Sequence, residues 1–225
     1  RDLKQLIANL RAQVEKDRAE NPNIPALAEK NEKLKVQVEK IMENVIFYID
    51  NSKETNAHYK LKFAMWKDAY ENQRIETHIY SDAAKNIKKW RKGGIKTYIY
   101  SNAWSELQKL FLRYTTHGNL SRNIDGYFDT SIGKPTDVET FKKLLGIIKV
   151  KKASDVLFIT KNPDEAMVAK KLGITCLLII SHAAQLKKID KSVFQEFQKI
   201  RTFDELKFTD ESPDEEEEDD DREED

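Results

Sequence analysis

The sequence predicts an α/β protein, a doubly wound parallel sheet with a helical module in front of it, and three observations carry that prediction. Up to about residue 78, apolar residues recur at helical spacing and no convincing strand intervenes. Beyond residue 80, short β-forming runs alternate with helical stretches of roughly 10 to 14 residues, the pattern of βαβ units in a parallel sheet. Residues 210–225, "DESPDEEEEDDDREED", hold 13 acids and one arginine, and a like-charge block of that kind is disordered and solvated. The expected regions are a helical module over 1–78, an α/β core over 79–209 and an acidic tail over 210–225.

The helical module is read from Leu3, Leu6, Ile7, Leu10 and Val14, and again from Leu34, Val38, Ile41, Val45 and Ile49. The run "VIFYI" before Asp50 has a strand-like composition and would put a carboxylate at a strand end. Val45 and Ile49 continue the spacing that starts at Leu34, with no glycine between, so the stretch reads as helix. In the core, Ser81 is expected to cap a helix that runs through Lys92 and ends at Gly93 and Gly94, followed by a strand in "IKTYIY". Then come a helix over 103–113, the short run "GYFDT" and a helix from about Thr136. A strand over 155–160, a helix over 163–172 closed by Gly173 and a strand over 174–180 complete the pattern.

The first 209 residues carry 38 basic and 26 acidic side chains, a balance of +12 that the tail cancels to zero. Their lysines are spread along several helices instead of forming one stripe with interleaved aromatics, which argues against a nucleic-acid surface. No window approaches the run of about 18 apolar residues that spans a membrane, and "RDLKQLIANLRAQ" has no apolar signal core. A cytoplasmic location, with the nucleus also open, is the expectation. The single Cys176 lies in "TCLLII" and reads as a buried, unreactive thiol. The chain opens on Arg1 rather than Met, so further residues are expected before it. The tail is a docking segment for a basic protein partner, a mask over the basic body, or a solubilising appendage.

Ligands gather where the strands of an open α/β sheet end. In "YIYSNA", Ser101 and Asn102 leave a strand and enter a helix, which makes either a phosphate cradle or a simple helix cap. In "GKPTDVETF", Thr136 and Glu139 have capping-box spacing, with Lys134 just outside; a lysine beside a positive helix terminus is either solvated or matched to an anion. In "VLFITKNPDEA", Asn162 and Glu165 repeat that spacing, with Pro163 at the first helical position and Asp164 in the first turn. The helix dipole accounts for those acids. It does not account for Lys161, a cation beside the same terminus.

The stretches "LKFAMWKDAY", "KKWRKGGIKTYIYSNAWSELQKLF", "IDGYFDTSIG" and "VLFIT" resemble, in order and over about residues 1–208, the enolase-phosphatase (acireductone synthase) family of the haloacid dehalogenase-like superfamily. The resemblance implies a helical cap matching the N-terminal module, a doubly wound core, and a Mg²⁺-dependent phosphatase that enolises and dephosphorylates a phosphorylated diketone in methionine salvage. It places Ser101 at the hydroxyl that holds the transferring phosphoryl group, and Asn102 where a second serine is usual. The phosphate-neutralising lysine falls at Pro135, one residue after Lys134. The metal-binding aspartate that follows the "FIT" strand falls at Lys161. The nucleophile motif Asp-x-Glu-Gly-Thr, on the family's first strand, occurs nowhere between Arg1 and Asp225.

Phosphoryl transfer of this kind needs a carboxylate nucleophile, a Mg²⁺ ion and cationic groups. Only the cationic groups are present, and an ammonium at Lys161 neither coordinates Mg²⁺ nor tolerates it nearby. Ser101, Asn102, Lys134 and Lys161 are therefore candidates for binding phosphate, and no residue is assigned a catalytic or metal-ligating role. Two expectations stand: an enolase-phosphatase homologue that is inactive as written, or a non-catalytic protein that binds a phosphorylated metabolite or a protein partner. The resemblance also implies that the missing first strand runs between the strands ending at Ser101 and Thr160. Those two strands should pair directly or leave a gap with a spacing of about 10 Å, twice the usual.

Overall fold

The computed structural model describes residues 3–180 and 195–208, and the expected disorder of the acidic tail lies outside them. In chain order the elements are α1 (Leu3–Glu20), α2 (Leu34–Asp50), α3 (Asn56–Glu71), α4 (Ser81–Lys92), β1 (Tyr98–Tyr100), α5 (Ser105–Arg113), β2 (Gly126–Phe128), α6 (Val138–Ile148), β3 (Leu157–Thr160), α7 (Pro163–Lys170), β4 (Thr175–Ile179) and β5 (Gln198–Ile200). They form two compact units, Arg1–His78 with Glu106–Ser121, and Ile79–Ser105 with Arg122–Asp225.

In the first unit "VIFYI" is helical, as its spacing predicts, and Asp50 is the last residue of α2. Leu6, Leu10 and Val14 of α1 pack with Ile24, Tyr48 and Leu61 into one core. The apolar stripe read on α2 is only partly its buried face: Ile41 packs against the core and Val45 is half-buried, but Leu34, Val38 and Ile49 are exposed, while Asn44 and Tyr48 are buried. A polar chain explains the exchange. The fully buried His58 stacks on the Tyr48 ring at 3.9 Å between centroids. Its Nε2 lies 3.2 Å from the Asn44 Oδ1, and Asn44 Nδ2 donates to the Pro25 carbonyl at 2.7 Å.

The other ring nitrogen fixes the protonation state of His58. Thr55 N–H donates to Nδ1 at 3.3 Å, and the Thr55 hydroxyl lies 2.7 Å from the same atom. Nδ1 is thus an acceptor, Nε2 carries the hydrogen, and the ring is neutral. Burial lowers the pKa of His58, with Lys62 acting the same way against Glu54 and Asp17. Because the folded value lies below the unfolded one, the unfolded chain binds the extra proton first. Stability is full above the unfolded pKa of about 6.5 and falls as the pH drops through the interval below it. The unfolding midpoint is expected to decrease between about pH 7 and 5, and His58→Gln, which cannot titrate, should flatten that part of the profile.

In the second unit every strand pairing is parallel. β1 pairs with β2, and β3, β4 and β5 form a separate sheet in that order. Several elements are a few residues shorter than the sequence reading, and some termini differ in kind. Ser81 is the first residue of α4, with Tyr80 in the N-cap position. β1 is shorter than expected; just before it the Thr97 N–H bonds the Asp125 carboxylate at 2.9 Å, and Asp125 also pairs with Arg91. α6 begins at Val138 with Asp137 as its cap, accepting from the Glu139 N–H, so Thr136 is not the cap. β5 carried no sequence signal. The N-cap role of Asn162 and the first helical position of Pro163 are as expected.

β1 and β3 do not pair. Their edges line one cavity of about 700 Å³, closed by side chains of α4 and α6. No segment of residues 3–80 stands between them as a strand. Cys176 is partly buried, its thiol donates to the Ile174 carbonyl at 3.3 Å, and burial raises its pKa to about 11, which makes it a poor nucleophile at neutral pH.

Candidate functional site

The site is the rim where β1, β2 and β3 end and α6 and α7 begin. Tyr100 organises it. Its hydroxyl, at the end of β1, donates to the Gly133 carbonyl at 2.7 Å, which ties the loop carrying Lys134 to the strand that delivers Ser101. Burial first, and then the charges of Glu165, Asp129 and Asp137, raise the Tyr100 pKa. Ser101 and Asn102 follow β1, Lys134 follows the residue whose carbonyl Tyr100 bonds, and Lys161 follows β3. Lys134, Lys161 and Asn102 are exposed and Ser101 is half-buried.

Ser101 N–H donates to the Phe128 carbonyl at 3.1 Å, extending the β1–β2 ladder, and its Oγ accepts from the Ala103 N–H at 3.2 Å. The hydroxyl thus closes a local turn and retains its own proton for a further acceptor. Neither lysine forms an ion pair among the described residues.

Sequence reasoning missed the carboxylates of the rim as site residues. Asp129, directly after β2, accepts the Ser105 N–H at 2.8 Å and the Ser131 N–H at 2.9 Å, one on each oxygen. Burial opposes its charge, but the hydrogen bonds from Ser131 and Ser105 outweigh burial and hold its pKa below the ordinary value. The signal was available, since Asp129 ends the "GYF" strand. Glu165 was read as a helix-terminus residue completing a capping box with Asn162. It accepts from the Thr160 hydroxyl at 2.6 Å and from the Asn162 side-chain amide at 3.2 Å, so its reach is to side chains rather than to the cap backbone.

These residues do not fit a Mg²⁺ ion. The residue after β3 is an ammonium, which cannot coordinate Mg²⁺ and repels it. No group of three His, Cys, Asp or Glu with metal-binding geometry occurs among the described residues.

A family model for haloacid dehalogenase-like hydrolases matches residues 2–173. The chain belongs to the haloacid dehalogenase-like hydrolases. Within that family it is 28% identical to enolase-phosphatase E1 of Sulfurihydrogenibium, over 85% of this chain and 83% of that one. It is 31% identical to enolase-phosphatase E1 of Xenopus tropicalis, over 69% of this chain and 60% of that one, so it spans well under the full length of that relative. A bifunctional methylthioribulose-1-phosphate dehydratase/enolase-phosphatase E1, so named as probable, of Populus trichocarpa is 32% identical over 76% of this chain and 33% of its own. Among solved structures, the UTR4 protein of Saccharomyces cerevisiae has a TM-score of 0.63 at 23% identity, covering 91% of this chain and 90% of that one. At that identity the likeness is one of fold: this haloacid dehalogenase-like chain shares its architecture.

Proposed function

We propose that these 225 residues bind a phosphorylated small metabolite at the rim and do not hydrolyse it. The enolase-phosphatase relatives supply the ligand class, a phosphorylated diketone or its enol. The observation that carries the reading is the residue at the end of β3. Lys161 stands there as an exposed cation, while the rim carboxylates, Asp129 and Glu165, are held by local donors. Such a rim offers hydrogen-bond donors and positive charge to a phosphate, while its carboxylates are oriented by hydrogen bonds to the residues beside them.

Binding and turnover are tested separately. Isothermal titration of inorganic phosphate into the chain is expected to show saturable binding. The pair Ser101→Ala and Lys134→Ala should weaken it about tenfold or more, the loss of a charge-assisted hydrogen bond worth roughly 1.5–3 kcal/mol. Equal affinities would retire the rim as the site. Incubation with phosphomonoesters and Mg²⁺ should release no phosphate, and chelator-sensitive turnover by these residues would overturn the non-catalytic reading. The acidic tail belongs to the same proposal as a docking segment for a basic protein. Removal of 210–225 should weaken capture of a polylysine probe and leave phosphate affinity unchanged.

A further inference from the structure

The first unit carries an apolar helix face that its own core does not cover. Leu34, Val38, Met42, Ile46 and Ile49 of α2 are between 44% and 75% exposed, and steps of three and four residues keep them on one side of the helix. The exposure is built into the core. On the other side of α2, the buried Asn44 donates to the Pro25 carbonyl and meets His58, and the buried Tyr48 donates to the Asp17 carboxylate at 2.5 Å. Rotating α2 to bury the stripe would break these bonds and strand buried polar groups. The stripe is therefore held outward.

Two features of the stripe say what covers it. The first is that it reads the same in both directions about Met42: Val38 and Ile46 lie four residues to either side, and Leu34 and Ile49 lie eight and seven. Two such helices laid antiparallel set Met42 against Met42, Val38 against Ile46 and Leu34 against Ile49, so every apolar residue of the stripe meets another. The second is that the ends are oppositely charged. Lys35 borders the stripe at one end and Asp50 at the other, both exposed, and the antiparallel arrangement brings each Lys35 beside the second copy's Asp50. A parallel one would set Lys35 on Lys35 and Asp50 on Asp50 and align the two helix dipoles.

We propose that α2 is the contact face of a weak homodimer, in which two copies of this chain pair α2 against α2, antiparallel, about a two-fold axis at Met42. Such a contact is isologous: each copy offers the same surface, and it must be complementary to itself, as this stripe is. A lipid surface fits less well. Helices that lie on membranes carry lysine and arginine along their polar face, whereas the polar side of α2 carries Glu39, Glu43 and Asp50 beside Lys35 and Lys40. Five residues from each copy cover an area near the lower limit for a specific interface, about 1,000 Å² in total. The dimer therefore exchanges with monomer in the micromolar range.

Sedimentation velocity on the 225-residue chain should show monomer giving way to dimer as the concentration rises through the micromolar range. Met42→Asp sets two carboxylates face to face on the axis and should raise the dissociation constant at least about tenfold, with the thermal midpoint of the monomer unchanged because Met42 is exposed. Lys35→Asp and Asp50→Lys should each weaken the dimer about threefold to tenfold, and the two exchanges in one chain should restore it. Disulfide trapping reads the orientation. Met42→Cys should cross-link two copies under oxidation and Leu34→Cys should not, since antiparallel pairing holds the two Leu34 positions about 24 Å apart; the parent chain, with Cys176 alone, is the control. The proposal is overturned by a monomer at every concentration, by a dimer that Met42→Asp leaves intact, by a double exchange as weak as the single ones, or by equal cross-linking at Leu34 and Met42. None of these outcomes depends on whether the rim binds phosphate.

Discussion

Gly133→Val should be among the most destabilising single substitutions in the second unit, by about 2–6 kcal/mol. Gly133 has φ +133°, a backbone conformation that side chains rarely adopt, and a Cβ built there would lie 2.0 Å from the Thr140 Oγ1 and 3.1 Å from its Cβ. Thr140 is buried at 1% exposure and cannot move aside into solvent. Backbone strain of about 1–3 kcal/mol and overpacking of about 1–3 kcal/mol therefore act together. The Gly133 carbonyl is also the acceptor for Tyr100, so the same change should pull Lys134 off the rim and weaken phosphate binding. Urea unfolding and phosphate titration measure the two effects. Gly146→Ala is the control. It lies within α6 with nothing within 4 Å of the added Cβ, and it should be neutral or stabilise by about 0.5–1 kcal/mol.

Phe141→Ala should cost about 3–5 kcal/mol, the range for removing a buried aromatic ring. Phe141 is 1% exposed and packs edge-on against Phe158 at 5.0 Å and against Tyr100 at 6.4 Å between centroids. One ring on α6 thus links the strand that delivers Ser101 to the strand that delivers Lys161. Since it also walls the cavity, its loss enlarges a void that the fold already carries. Ile147, on the same helix but 52% exposed, should change stability by no more than about 0.5 kcal/mol when replaced by alanine. Equal effects at Phe141 and Ile147 would mean that the ring is not a packing element.

What could be read from the chain was set by local physics. The spacing from Leu34 to Ile49 decided helix over strand for "VIFYI", because nothing between those residues interrupts a helix. The order Asn162, Pro163, Asp164 fixed the start of α7, since a side-chain acceptor, a pre-set φ and a favourable charge coincide there. The same local rules misplaced the start of α6. Thr136 and Asp137 are both competent caps, and the structure gives the role to Asp137, whose side chain accepts from the Glu139 N–H. They also misjudged the buried face of α2, because apolar spacing does not announce a buried Asn44–His58 pair. Asp129 was visible as a residue and not as a site. Its meaning comes from two N–H groups, one of them 24 positions away in the chain.

By itself, then, the sequence determined the alternation of strands and helices, the helix termini with unambiguous caps, and the resemblance carried by the runs around Ser101 and "VLFIT". Those features depend on neighbours a few residues apart. Only the tertiary structure decided that the Gly133 carbonyl, beside Lys134, is tied to Tyr100, beside Ser101, and that Asp129 and Glu165 accept hydrogen bonds from Ser105 and Thr160. It also decided that β1 and β3 stand apart across a cavity instead of closing together. The physical reason is packing. Side chains of α4 and α6 line the space between the two sheets, and which residues from distant parts of the chain line one space is set by long-range contacts that local spacing does not encode.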